Sequence, residues 1–312
     1  MRATALSSER FWVSIATQRP DDILPTAAGK PRWFAALPGI GWLLLFTLVP
    51  LLLMLLISFW TSTMFGLRAD WTLRNWARLF STPVYFDLLF KTVRIACLTT
   101  LVTLVLSYPI ALFLARTSGF VKTIAIVMLF LPFWIGYVVR TFAWLPILGR
   151  TGLLNQGLLA IGIIDTPVEW FLYNEAAVYL GLVYVYLLFM VLPIFLSLDR
   201  IDHSLIEAAI DLHATPFAVL RHVLLPLSFP GVLSGCIMVF LLTLGAYVTP
   251  ALLGGPSGIM FSNVIATQFL ADNNWAMGST LSLLMMALVF AVLIVAGRKF
   301  GLQRVFMSAK GH

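Results

Sequence analysis

Residues 204–226 read Ser204–Leu205–Ile206–Glu207–Ala208–Ala209–Ile210–Asp211–Leu212–His213–Ala214–Thr215–Pro216–Phe217–Ala218–Val219–Leu220–Arg221–His222–Val223–Leu224–Leu225–Pro226. Ser204 followed three residues later by Glu207 has the form of a capping box, in which each side chain satisfies a backbone donor of the first helical turn. The helix so started is expected to run to about Leu212. Thr215 has the form of a second N-cap, with Pro216 at the first helical position, where a missing N–H costs nothing. Pro226 is expected to end that second helix. The stretch predicts two short helices joined by a tight turn, and its flanks decide where they sit.

The flanks are apolar. Ala176 to Leu198 precedes the loop, and no Asp, Glu, Lys or Arg occurs from Val223 to Ala271. Across all 312 residues, 61% are hydrophobic and 11% charged, with a mean hydropathy of +0.98. A soluble domain carries about 25% charged residues, so too little polar surface remains for a water-soluble particle. Disorder is excluded as well, because disordered chains are poor in aromatics and 13% of this one is Phe, Trp or Tyr. The chain is expected to lie in a membrane.

A spanning helix needs about 20 apolar residues. Six stretches fit: Trp33 to Trp60, Ile95 to Ala115, the shorter Thr123 to Val139 with Arg140 at its interface, Ala176 to Leu198, roughly Val232 to Leu252, and Ser279 to Gly297. This predicts an all-α, six-span membrane domain over 33–300, with the loop 199–230 inside it. Tails over 1–32 and 301–312 complete the chain. With the N-terminus inside, the outer segments hold Arg68, Arg74, Arg78, Lys91, Arg94, Arg140 and Arg150, and the other 13 of the 20 Lys and Arg residues fall on the cytoplasmic side. The positive-inside rule therefore favours both termini on the cytoplasmic side of the membrane, and it also accounts for the net charge of +7 without a nucleic-acid partner. Trp33, Trp60 and Trp144 sit at expected interfaces. Trp71 to Phe80 has its apolar residues at helical spacing, which fits an interfacial helix or a packed loop helix equally.

No Asp, Glu, Lys or His falls inside a span. Such groups are costly in hydrocarbon and mark proton or ion relays, so a proton-coupled pump is disfavoured. No phosphate-binding G-x-x-x-x-G-K-[ST] loop, metal-ligand spacing or hydrolase motif occurs. Cys97 and Cys236 read as small buried hydrophobes. Pro50, Pro109, Pro132 and Pro193 read either as kinks around a cavity or as the prolines common in spanning helices. Gly231 and Gly235 make a small-xxx-small pair suited to close helix packing.

The loop resembles a known signature. Glu207–Ala208–Ala209, three residues, His213, nine residues, then Val223–Leu224–Leu225–Pro226 is similar to the E-A-A, Gly, I-x-L-P loop of the membrane subunits of binding-protein-dependent ABC importers. His213 stands where the family has Gly, at a turn that favours positive φ, a region His tolerates. Trp71–Thr72–Leu73–Arg74–Asn75–Trp76, Leu131–Pro132–Phe133–Trp134, Val139–Arg140–Thr141–Phe142–Ala143–Trp144, Leu148 to Asn155, Tyr247 to Pro256 and Asn273–Asn274–Trp275 resemble the spermidine/putrescine-type permeases within that family, over roughly Trp71 to Gly297.

The resemblance implies a type I (MetI-like) importer permease, not an enzyme. It implies a sister permease subunit, two ATP-binding subunits that hold ATP and Mg, and a periplasmic substrate-binding protein. It further implies ATPase coupling through Glu207, Ala208, Ala209, Asp211, Leu212, His213, Ala214, Pro216, Leu225 and Pro226, with no cofactor in this chain. For the solute, the resemblance points to a polyamine or similar organic cation. Aromatic faces suit a cation, and Trp134, Tyr137, Tyr184 and Tyr247, with Arg140 at the outer mouth, are the candidate path. Each aromatic reads equally as packing. Amino-acid-derived conjugates, sugar derivatives, organic acids and an ATP-independent channel are the alternatives.

Overall fold

A computed structural model describes residues 33–64 and 66–300. The expected tails over 1–32 and 301–312 lie outside the described residues. The chain divides after Leu53 into two units. The first is the greater part of helix α1 (Trp33–Ser58), which runs through Pro38 and Pro50 without a break.

The second unit begins at Met54. A two-stranded hairpin, β1 (Thr61–Thr63) and β2 (Gly66–Arg68), leads to α2 (Arg74–Ser81). Leu79 of α2 is fully buried, in a cluster with Met277 and Leu281, while Arg74 and Arg78 stay exposed. The segment packs through Leu79 and leaves Trp71, Leu73 and Phe80 exposed, an arrangement open to both readings. Asn75 secures it by donating to the carbonyls of Ser58 and Trp60 at 2.9 and 2.8 Å.

The core is a three-helix packing of α3 (Pro83–Arg116), α8 (Glu175–Leu198) and α11 (Leu225–Leu244). α3 starts 12 residues earlier than the expected span, because Pro83 is favourable at a helix start and Asp87, Lys91 and Arg94 are tolerated at its end. Arg94 reaches both carboxylate oxygens of Glu175, at 2.7 and 2.6 Å. Buried Thr92 and Thr103 return their hydroxyls to carbonyls four residues back, which lets polar side chains sit in the packing without an unmet donor. At the start of α8, the Asn174 side chain accepts from the Ala177 N–H. Gly231 and Gly235 face α8 at Pro193 and Met190, so the small-residue pair serves packing inside the chain.

Between α3 and α8 the expected third span is not one straight helix. α4 (Gly119–Phe130) passes into a 3-10 turn at Leu131–Trp134, and the chain restarts as α5 (Tyr137–Phe142), α6 (Leu145–Leu148) and α7 (Leu153–Ala160). The two halves meet at 98°. Pro132 removes a helical donor, and Ile135 and Gly136 adopt extended ψ angles of 133° and 143°, so the helix cannot continue. Counted with this broken pair, six segments among the described residues are long and apolar enough to cross a membrane, and five without it.

α9 (His203–Asp211) and α10 (Pro216–Val219) form the loop. Pro226 does not end the second helix. A π-helical turn at Leu220–Leu224 joins α10 to α11, and the Leu225 N–H bonds the Leu220 carbonyl five residues back. The wider turn accommodates the proline ring, which would otherwise collide with the carbonyl four residues back. The fifth span therefore begins near Leu225 and stops at Leu244. α12 (Val248–Leu253), α13 (Phe261–Leu270) and α14 (Trp275–Phe300) follow.

Candidate functional site

Two regions carry the residues singled out in the sequence. The first is the loop. Its first helix is capped two residues earlier than expected: Asp202, at φ −63° and ψ 129°, accepts from the Ser204 N–H at 2.9 Å. Asp is as good a cap as Ser and adds a negative charge at the positive end of the helix. Ser204 thus lies inside the first turn, and Glu207, two residues past the N3 position, is beyond capping reach and exposed. The backbone hydrogen bond from Ser204 holds the Asp202 carboxyl below its ordinary pKa.

The helix ends as the sequence predicts. His213 sits at φ +60°. Its N–H bonds the Ile210 carbonyl at 2.8 Å, and the Ala214 N–H bonds the Ala209 carbonyl at 3.0 Å. This pair of bonds is a Schellman motif, closed by His where Gly is the usual residue. Thr215 then caps α10, accepting from the Ala218 N–H at 3.3 Å.

The loop has two faces. Ile206, Ala209, Ala214, Val219 and Val223 pack on the core. Facing outward are Glu207 and Ala208 with Leu205, Ile210, Leu212 and Phe217, and Leu212 and Phe217 remain 83% and 69% exposed. Asp211, Pro216, Leu225 and Pro226 are exposed as well. Lys122, at the start of α4, binds Asp199 at the end of α8 at 2.6 Å and lies over the Phe195 ring. That ties the broken span to the base of the loop. Such an arrangement presents an apolar, rigidly turned knob that a second protein can grip and move.

The second region is the break in the third span. Tyr137 and Arg140 lie on α5, against α8 and α12. The Tyr137 hydroxyl is 2.8 Å from the Thr249 hydroxyl, and Thr141 is 3.3 Å from the same group. Arg140 is only 7% exposed, and its guanidinium lies 4.5 Å from the centre of the Phe133 ring. Phe133 packs edge-on against Phe189, which neighbours Tyr186. Both lie near the middle of α8. The break brings Arg140 beside side chains that pack near the middle of α8.

The other path candidates diverge. Tyr184 stacks edge-on with Trp144 at 5.6 Å. Trp134 is 92% exposed and lines an outward apolar groove with Ile126, Val127 and Phe130. Tyr247 lines a different cleft of about 360 Å³ with Leu244, Ser262, Ile265 and Phe269. Thr141 and Thr249, which organise the break, escaped the sequence reading because neutral hydroxyls carry no distinctive pattern; the Thr249–Pro250 step was their one signal. Among the described residues, no three His, Cys, Asp or Glu gather as a metal site.

No protein-family model matches the chain. It is 35% identical over 260 residues to the spermidine/putrescine transport system permease protein PotB of Escherichia coli (strain K12), a stretch that covers 83% of this chain and 94% of that protein. Among solved structures it is similar to a bacterial ABC transporter involved in the import of the acidic polysaccharide alginate, with a TM-score of 0.70 at 17% identity over 85% of this chain and 93% of that one. The same type of transporter in complex with an alginate pentasaccharide-bound periplasmic protein gives a TM-score of 0.67 at 16% identity, covering 85% and 92%. At such identities the solved structures speak for the fold alone.

Proposed function

The chain belongs to the spermidine/putrescine-type permeases of binding-protein-dependent ABC importers, and on that premise we propose that it forms, with one sister permease, the path of a small organic cation of the polyamine class. It is a multi-pass inner-membrane transport subunit and not an enzyme; hydrolysis of ATP falls to a separate subunit, and a periplasmic binding protein belongs to the same kind of machine. That membership removes the ATP-independent channel as a reading.

In this proposal two ATP-binding subunits, which hold ATP and Mg, grip the loop 199–230 from the cytoplasm, so both termini are cytoplasmic. Glu207, Ala208, Asp211, Leu212, His213 and Pro216 form the gripped surface; Ala209, Ala214, Leu225 and Pro226 set its angle. The membrane domain covers 33–300, with cytoplasmic tails over 1–32 and 301–312. The observation that carries the coupling role is the exposure of Leu212 and Phe217 on a loop whose other face is anchored in the core. Large apolar side chains held out on a rigid turn suit a protein interface.

Closure of the ATP-binding subunits would shift the loop, and with it α11, between two arrangements of the path. A ligand shifts such an equilibrium only by its differential affinity for the two states, so the loaded binding protein must favour one of them. The aromatic faces of Tyr184 and Trp144 and the hydroxyls at Tyr137, Thr141 and Thr249 are the groups proposed to meet the solute.

The test is the ATPase activity of the purified importer in nanodiscs, titrated with its binding protein and a panel of polyamines, amino-acid-derived conjugates, sugar derivatives and organic acids. Stimulation by polyamine-loaded binding protein supports the reading, and stimulation only by another solute replaces the substrate class. Glu207→Ala should lower ATP-coupled uptake and leave insertion intact. Full uptake in that variant counts against a coupling role for this side chain.

A further inference from the structure

Arg140 is a charge without a counter-charge. It lies at the depth of Phe189 and Tyr186, mid-way along a spanning helix, and is 7% exposed. Its Nε is buried and bonded to nothing, and its guanidinium lies over the face of Phe133 and within electrostatic reach of the Tyr186 hydroxyl. The hydroxyls around it are engaged elsewhere: Tyr137 and Thr141 with Thr249, and Tyr186 with the Leu242 carbonyl. No Asp or Glu of the described residues lies in the interior of a span, and Glu169, Glu175 and Asp199 are already paired with Arg150, Arg94 and Lys122.

A charged side chain buried among spanning helices is costly unless it is paired or reaches a water-filled cavity. A solute could do so only while bound, which would leave the charge bare through the rest of each cycle. A resident partner would hold the charge through the whole cycle. The broken span also offers the route by which it arrives: α4 has no buried residue, and Trp134, Val138, Val139 and Phe142 leave that face uncovered.

We propose that Arg140 is neutralised by a carboxylate of the sister permease, brought in over the uncovered face of the broken third span. The assignment rests on the two-permease reading above. The ion pair would fix the register of the two membrane chains at mid-depth, the best-attested use of a buried polar contact. Arg140 is then an assembly residue and not a solute ligand, and a polycationic solute never meets it as a free charge.

The experiment is a charge swap in the co-expressed importer, pulled down through this chain. Arg140→Glu is expected to reduce recovery of the sister permease and the ATPase by about tenfold or more. One acidic residue in the spans of the sister, changed to Arg, restores recovery to within about twofold. Arg140→Gln combined with the neutral amide at that sister position assembles at near wild-type yield, because neither charge is left buried alone. That double variant keeps the test valid if Arg140→Glu fails to insert.

Wild-type recovery in Arg140→Glu, or the absence of any rescuing sister position for both Arg140→Glu and Arg140→Gln, overturns the pairing. Normal assembly of Arg140→Gln with an uptake KM raised tenfold for carboxylated solutes alone assigns the carboxylate to the solute and overturns it too. A wild-type chain that brings down no ATPase sinks the importer reading itself, a result distinct from failure of the swap.

Discussion

Gly231 of α11 lies directly against the carbonyl of Pro193 in α8, too close for any side chain to stand between them. Four residues on, a Cβ at Gly235 would come within 2.7 Å of the Met190 sulfur. Replacing Gly231 with Leu should drive α11 away from α8 and cost about 1–3 kcal/mol or more, as overpacking does. Thermal unfolding of the purified importer reads this as a lowered Tm, and an unchanged Tm would show that the helices are not in contact there.

His213→Gly should strengthen the loop. A non-glycine residue in the left-handed region costs about 1 kcal/mol, and the Schellman bonds to Ile210 and Ala209 need that φ. Protection of the amides of 209–214 against hydrogen exchange should rise in His213→Gly and fall in His213→Val, whose branched side chain fits the region worst. If Gly lowers protection, the imidazole is contributing a contact of its own.

Leu212→Asp should leave the permease folded and cost it its motor. The side chain is 83% exposed and makes no contact the core depends on. Recovery of the ATPase with the tagged chain should fall about tenfold or more, the effect of removing an apolar anchor from an interface. Equal recovery with and without the substitution would move the docking surface away from the turn.

The start of α9 should respond to pH in one direction only. Asp202 has its pKa lowered by the Ser204 backbone bond. A group lowered in the folded state stabilises it above the unfolded pKa, near 4, and loses that contribution as pH falls through the folded value. Protection factors for 204–206 should therefore be flat at neutral pH and decline only in acid. In Asp202→Asn, which keeps the accepting oxygen, the acid decline should vanish; its persistence would assign the cap to another group.

The sequence exposed what depends on pattern. The five uninterrupted spans follow from runs of apolar residues that no tertiary contact can disguise, and the turn at His213 follows from the spacing of the loop motif. Helix ends were harder. Pro83 extended α3 outward, and Pro226 looked like a terminator because nothing in the residues themselves announces a π turn. Asp202 was overlooked because Ser204 and Glu207 matched a stronger-looking capping pattern two residues later. The break after Phe130 was half visible in Pro132 and Gly136, but the depth at which it leaves Arg140 depends on a 98° bend that local sequence does not encode.

From Pro216 to Leu244 the chain is one helix of 29 residues, about 43 Å from end to end at 1.5 Å per residue. Ahead of Pro226 a π turn carries the helix on without a break. A tilt applied at the loop would pass along this segment as along one arm. A tilt of about 10° about its loop end would swing the far end by about 7 Å. The end near Thr243 would then move by a distance on the scale of a solute's width.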